Sequence, residues 1–206
     1  MKTFLCALTA VCLLATPSAL AAQACTGSPV NPGNGFLQGS VAFTDGAFGY
    51  GISGGGMTGG NVILGASLSR TELDNTDQGV MDITGTLGIE LPGPDFSLCP
   101  AASVGYSWVT GLSGGDVDGF TFGGGLGIGQ TFGDELLVTP YGNAALVHTR
   151  VTASASGFSA TGSETYGQFG AGVTVGSESF YAGPSISICT LEGCDPVLGI
   201  VAGAVF

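Results

Sequence analysis

The last eleven residues, PVLGIVAGAVF at positions 196–206, decide the fold. Counting back in twos from Phe206 gives one set of positions that includes Ile200 and Leu198, and the opposite parity gives only valine and glycine. A period of two is the repeat of a β-strand, because successive side chains leave opposite faces. The run therefore predicts a terminal β-strand that ends on an aromatic residue.

The other end of the chain predicts export. Residues 1–24 have the three parts of a secretory signal peptide: Lys2 as the positive region, an apolar stretch over 4–14, and an Ala-Gln-Ala cleavage site before Cys25. The exact cleavage site stays open. Residues 25–35 (CTGSPVNPGNG) have no hydrophobic period and are expected to form an N-terminal periplasmic segment.

Composition excludes several classes of protein. The formal net charge is −12, and Lys2, Arg70 and Arg150 are the only basic residues besides one histidine. Nucleic acid is therefore excluded as a partner, since binding it requires a basic surface. Mean hydropathy is high, at +0.48, yet no run after the signal reaches the 18 apolar residues of a membrane helix. This leaves a dense all-β core or a barrel whose apolar surface faces lipid.

Residues 36–206 alternate through ten segments of about nine to eleven residues, the length with which a tilted strand crosses a membrane. Short turns alternate with mostly longer, acidic connections, and SASGFSATGSE at 154–164 is expected to be the longest loop. That alternation and an even strand number are typical of outer-membrane barrels. An eight-strand barrel, with residues 36–56 as an extension, is the alternative.

One face of the segments is apolar and the other is mostly glycine, serine, threonine and alanine, with few charges. Small residues fit the interior of a narrow closed barrel better than the water-facing side of a soluble sheet. The predicted polar lumen residues are Gln38, Asp82, Glu90, Tyr141, Asn143 and Gln168. The predicted membrane-interface aromatics are Phe96, Tyr106, Trp108 and Phe120.

With the export signal and the repeated strands before it, the terminal GIVAGAVF resembles the end of the small bacterial outer-membrane β-barrels, the opacity-type and OmpA- or OmpX-like superfamily. The resemblance covers the mature chain and identifies no subfamily. It implies an all-β fold, a closed antiparallel up-and-down transmembrane β-barrel, in the outer membrane of a Gram-negative bacterium. It also implies contact with outer-membrane lipid and with the barrel-assembly machinery. The assembly signal would comprise Leu198, Ile200 and Phe206.

Four cysteines remain after the predicted cleavage, and export permits disulfides. Cys189 and Cys194 flank the last loop, and their spacing predicts a bridge across it. Cys25 and Cys99 would then pair and draw the N-terminal segment across the periplasmic mouth, although four cysteines allow three connectivities.

Neither a catalytic site nor a metal site is predicted. Asp82 and Glu90 point inward from one strand but lie too far apart for a catalytic pair, and they are expected to be in water near the two mouths. His148 is the only histidine and has no acidic or serine partner at a specifying distance in sequence. The acidic loops offer oxygen ligands, which permits weak binding of divalent cations without a recognisable calcium motif.

The sequence thus favours a non-enzymatic outer-membrane barrel without cofactors, either structural and surface-exposed or a narrow, porin-like passive pore. The alternatives are a secreted soluble β-sandwich with a binding role and a barrel hydrolase that uses His148. Solute, ligand and oligomeric state are not specified by the sequence.

Overall fold

The computed structural model describes residues 35–58, 61–93, 96–155 and 157–206. The predicted signal peptide, the cleavage site and nearly all of the N-terminal segment lie outside these residues. The described residues form ten antiparallel strands: β1 Phe36–Thr44, β2 Ala47–Thr58, β3 Val62–Leu73, β4 Gly79–Ile89 continued by Leu91–Pro92, β5 Ser97–Thr110, β6 Asp116–Gly129, β7 Leu137–Ala155, β8 Phe158–Gly176, β9 Phe180–Cys189 and β10 Val197–Val205.

The sheet closes on itself. Each strand pairs with its neighbours in sequence, and β1 pairs with β10 from Phe36 opposite Val205 to Phe43 opposite Leu198. Beyond Glu90, β4 resumes for two residues that still pair with β5, so it counts as one strand. The predicted ten-strand up-and-down barrel is confirmed. The eight-strand alternative is wrong, because β1 and β2 are strands of the barrel. The soluble sandwich is wrong too, because one closed sheet leaves no second sheet to pack against.

The connections between strands lie at the two ends of the barrel and are of similar length at both, so the predicted alternation of short turns with longer loops is wrong. We call the end that carries Gly35 and Phe206 the turn end, and the opposite end the loop end. Residues 59–61, 93–96, 130–136 and 177–179 connect strands at the turn end, and residues 45–46, 74–78, 111–115, 156–157 and 190–196 do so at the loop end. Strand lengths run from nine residues in β1 to nineteen in β7 and β8, beyond the predicted range.

The predicted long loop at 154–164 is wrong. Nearly all of it is strand, since β7 continues to Ala155 and β8 begins at Phe158. Gly157 adopts φ 87°, a conformation that glycine allows at no steric cost, and permits a two-residue turn. The hydroxyls of Thr152 and Thr161 lie 3.4 Å apart across the two strands. Polar composition suggested a loop, but the residues alternate and pair. The glycine run that starts at Gly54 likewise begins inside β2.

Glycine makes the barrel narrow. Five of the six inward positions of β6 from Gly119 to Gly129 are glycine, the exception being Thr121. A Cβ added to Gly125 would lie 2.8 Å from the Cβ of Ala145 on β7, closer than side chains normally approach. The interior therefore has space only because one strand contributes almost no side chains to it.

The outer surface is an apolar belt. Large hydrophobic side chains are exposed on every strand, in contrast to soluble proteins, which rarely expose such contiguous apolar surface. They include Leu37, Ile52, Leu68, Ile83, Val104, Phe122, Leu146, Phe169, Ile186 and Ile200. No helix long and apolar enough to span a membrane occurs among the described residues.

Candidate functional site

The turn-end half of the lumen is filled with side chains. Phe36, Ile63, Cys99 and Tyr181 are all buried there, and Cys99 is completely inaccessible. The hydroxyl of Tyr181 donates to Oε1 of Gln38 at 2.8 Å. We call this packed layer the lumen floor, and its side chains occupy the space that a solute would have to cross.

The predicted polar lumen residues all occupy inward positions of their strands. Gln38, Asp82 and Gln168 are each 4% exposed, Tyr141 is buried, and Glu90 and Asn143 are half-buried. The expectation that Asp82 sits in water near a mouth is wrong, because the barrel interior is narrow enough to bury it. Its carboxylate instead accepts a hydrogen bond from the Thr84 hydroxyl at 2.9 Å.

A cavity lies inside the barrel above the lumen floor, between β1–β3 and β8–β10. Its volume is about 80 Å³, and it has room for a few water molecules. Its polar lining consists mainly of serine and threonine hydroxyls, contributed by Ser40, Ser69, Thr71, Ser185 and Ser187. Alternation along the strands placed Ser40, Ser69, Ser185 and Ser187 on the inner face but could not indicate a cavity, since that depends on which neighbours are glycine.

A second packed region lies near the loop end. Val147 and Tyr166 are buried against one another, with Cys189 and Leu191 against them. The predicted Cys189–Cys194 disulfide is confirmed and crosses the β9–β10 loop. Sequence reasoning missed Tyr166 because it adjoins the stretch that was read as a loop. The chemical signal was available: an aromatic residue two positions before the predicted lumen residue Gln168.

Cys99 is also disulfide-bonded. Its predicted partner, Cys25, lies outside the described residues, so the 25–99 pairing stays a prediction.

The two arginines of the described residues lie on the outer wall of the barrel, not in the lumen. Arg70 and Arg150 occupy outward positions, each nearer the loop end of its strand. The Arg70 Nε lies 3.3 Å from a carboxylate oxygen of Glu72, which also accepts from the Tyr50 hydroxyl at 3.4 Å. Arg150 is exposed and forms no ion pair within the described part of the chain.

His148 also faces outward. Its Nδ1 lies 2.8 Å from the Thr165 hydroxyl, and its ring centroid lies 4.9 Å from that of Phe122. A hydrolase would need an oriented carboxylate beside this ring in addition to a nucleophilic hydroxyl such as that of Thr165. Among the described residues the histidine has neither an acidic partner nor a lumen position.

The predicted interface aromatics are distributed between the two ends. The rings of Tyr106 and Trp108 on β5 stack near the loop end, with their centroids 5.9 Å apart. On the adjacent strand β6, the ring centroids of Phe120 and Phe122 lie 6.4 Å apart. Phe96 precedes β5 at the turn end and is exposed. No cluster of three or more potential metal-ligating side chains occurs within the described ranges.

The fold has counterparts among solved structures. The β domain of the Bordetella autotransporter BrkA is similar with a TM-score of 0.50 at 13% identity, over 84% of this chain and 98% of that one. The N-terminal β-barrel domain of Pseudomonas aeruginosa OprF matches with a TM-score of 0.40 and 18% identity, over 84% and 98% of the two chains. Ail of Yersinia pestis matches with a TM-score of 0.44 and 16% identity, over 82% of this chain and 92% of that one.

No protein-family model and no curated protein matches the sequence. The likeness to the BrkA β domain shows that the fold is a β-barrel of the same kind, and it identifies no family.

Proposed function

We propose that this chain is an integral outer-membrane β-barrel protein whose lumen is closed to solutes, and that it has a structural or surface role and is not an enzyme. The observation that carries the proposal is the lumen floor. Tyr181 and Gln38, both 4% exposed, are hydrogen-bonded to each other inside the barrel. A passive pore would require water at this level.

The outer surface supports membrane insertion. Exposed leucine, isoleucine and phenylalanine cover the barrel wall, whereas a soluble barrel would place charge there. Closure of β1 on β10 supports it further, because backbone groups at an open edge would be left unpaired in lipid. The predicted export signal supplies the route out of the cytoplasm.

Single-channel recording in planar bilayers tests the closed lumen. Purified, refolded full-length protein is expected to give no conductance steps, whereas a Tyr141→Ala/Tyr181→Ala double variant is expected to give them, because both rings leave the lumen. Phe180→Ala is the matched control, since this aromatic lies on the lipid-facing side of β9 and its loss should not open the barrel. Regular steps from the unaltered protein would instead support the passive pore.

Membrane insertion needs a separate test. Carbonate-resistant sedimentation and heat-modifiable migration on gels are expected for the full chain expressed with its own leader. Release into the soluble fraction by carbonate would contradict the integral assignment, whatever the bilayer recordings give.

A further inference from the structure

Positive charge is scarce and asymmetrically placed. Fifteen carboxylates are set against three basic residues, and the two within the described part of the chain, Arg70 and Arg150, both lie on the outer wall nearer the loop end. Arg70 is neutralised by Glu72. Arg150 has no ion-pair partner among the described residues and is exposed. In so acidic a chain, an exposed and unpaired arginine on the outer wall is free to bind an anion outside the chain.

The surroundings of Arg150 form a defined patch. On β6, Phe120 is directly opposite Arg150 and Phe122 is opposite His148; on β8, Ser163 and Thr165 are their respective partners. Directly opposite residues share a face with Cβ atoms about 5 Å apart. His148 and Arg150 share that face too, two residues apart on β7. These six residues, Phe120, Phe122, His148, Arg150, Ser163 and Thr165, are the outer patch.

Thr165 fixes the orientation of the histidine. Its hydroxyl contacts Nδ1 at 2.8 Å, and Phe122 packs against the ring. When that hydroxyl donates to Nδ1, the ring proton sits on Nε2, which can then donate to an acceptor. The patch therefore combines a guanidinium, an imidazole N–H and hydroxyl donors. Such groups bind phosphate oxygens, and arginine does so with two parallel bonds.

The outer patch lies where the wall changes from apolar to polar. Outward positions on β7 from Val138 to Leu146 carry no charge and cover about 26 Å of strand, which at the usual tilt spans most of an apolar band about 25 Å tall. Leu146 is 66% exposed directly below His148, and beyond Arg150 the outward residues are threonine and serine. The headgroup layer of a bilayer meets the barrel at this level.

We propose that the outer patch binds the phosphate of a membrane-lipid headgroup at the loop end, with Arg150 and His148 as donors and the acyl chains lying along Phe120, Phe122 and Leu146. The inference rests on the proposed membrane insertion and adds a binding site to it. A lipid is the occupant, not free phosphate, because Arg150 and His148 lie directly above exposed apolar side chains on the face that contacts the bilayer.

Native mass spectrometry of the full chain, released from a neutral detergent, tests the site. Dimyristoyl phosphatidic acid and dimyristoylglycerol are titrated separately, since they differ only in the phosphate. The unaltered protein is expected to retain the phosphatidic acid, and Arg150→Gln to weaken its apparent affinity roughly five- to tenfold. Arg150→Lys should restore part of the loss, because it keeps the charge without the paired bonds. Arg70→Gln is the control, since that charge is already neutralised.

Three results would overturn the inference: equal retention of dimyristoylglycerol, unchanged affinity in Arg150→Gln, or an equal loss in Arg70→Gln. Displacement of the lipid by millimolar inorganic phosphate would also overturn it, because it would show a simple anion site. Each variant is first checked for heat-modifiable migration. A variant that inserts normally but loses lipid selectivity concerns only this site, whereas failure of the unaltered chain to insert would overturn the proposed membrane function itself.

Discussion

Tyr181 reaches across a neighbouring strand to bond Gln38. The tyrosine is on β9 and the glutamine on β1, and β10 lies between them with Gly203 opposite both residues. A Cβ on Gly203 would lie 2.6 Å from the tyrosine ring. The hydrogen bond therefore spans the seam where the last strand closes on the first, and it exists only because the intervening residue has no side chain.

Gly203→Ala is expected to destabilise the barrel by about 1–3 kcal/mol, the usual cost of overpacking an interior. The added methyl group would displace the Tyr181 ring and lengthen its bond to Gln38. Urea unfolding of the protein refolded in lipid vesicles, followed by the fluorescence of the single tryptophan, Trp108, measures the change.

Gly85→Ala is the control for that substitution. This glycine lies in β4 on the outward face, and a Cβ there would meet no atom within 4 Å. The two variants make the same chemical change, so equal unfolding midpoints would contradict the steric account of Gly203.

Removal of the Tyr181 hydroxyl should disturb the packing of the lumen little, but it leaves a buried polar group unpaired. Tyr181→Phe leaves Oε1 of Gln38 buried without its donor, for which we expect a loss of about 1–3 kcal/mol. In the double variant with Gln38→Met, the loss should be smaller than the sum of the single losses, because no buried acceptor then remains. The same unfolding assay measures all three proteins, and strictly additive losses would show that the two side chains do not interact.

Strand number and the two faces were predictable because period-two alternation survives in every strand. The outward positions of Phe169, Ile186 and Ile200 follow directly from counting in twos, and so does the inward position of Gln38. What alternation cannot supply is lateral distance inside the barrel. The burial of Asp82, the hydroxyl-lined cavity and the Tyr181–Gln38 bond all depend on which glycine lies opposite which side chain, and hence on register.

The prediction for the β7–β8 hairpin was wrong for a different reason. Serine, threonine and glycine over 154–164 have the composition of a loop, and the residues there form no apolar face because the hairpin extends beyond the apolar band. Its residues are strand because β7 pairs with β6 and β8 pairs with β7, and composition does not report such pairing. The same misreading hid Tyr166 and the continuity of the outer patch from His148 to Thr165.

The Cys189–Cys194 disulfide is expected to stabilise the loop end modestly. It closes a ring of only a few residues. For a ring of that size, constraint of the unfolded chain stabilises the fold by about 2 kcal/mol, which is less than for a longer loop. A Cys189→Ser/Cys194→Ser double variant avoids reducing the bond at Cys99. We expect a lower unfolding midpoint and faster proteolysis within residues 190–196, measured by limited digestion of protein in vesicles. An unchanged cleavage rate in that loop would contradict a local constraint.

Phe206 is expected to matter for assembly more than for the finished barrel. Its side chain is 72% exposed at the turn end, and its backbone N–H donates to the Gly35 carbonyl at 3.0 Å, at the edge of the β1–β10 seam. Because the ring contributes little buried area, Phe206→Ala should shift the unfolding midpoint of refolded protein only slightly. In cells, by contrast, we expect the heat-modifiable fraction to fall severalfold, since the assembly machinery would recognise the terminal aromatic.

Phe180→Ala is the matched control, an aromatic of similar exposure (67%) at the same end, paired with Ala204. Equal folding yields in cells for the two variants would show that the terminal position of Phe206 carries no signal, and a loss confined to Phe206→Ala would establish that it does.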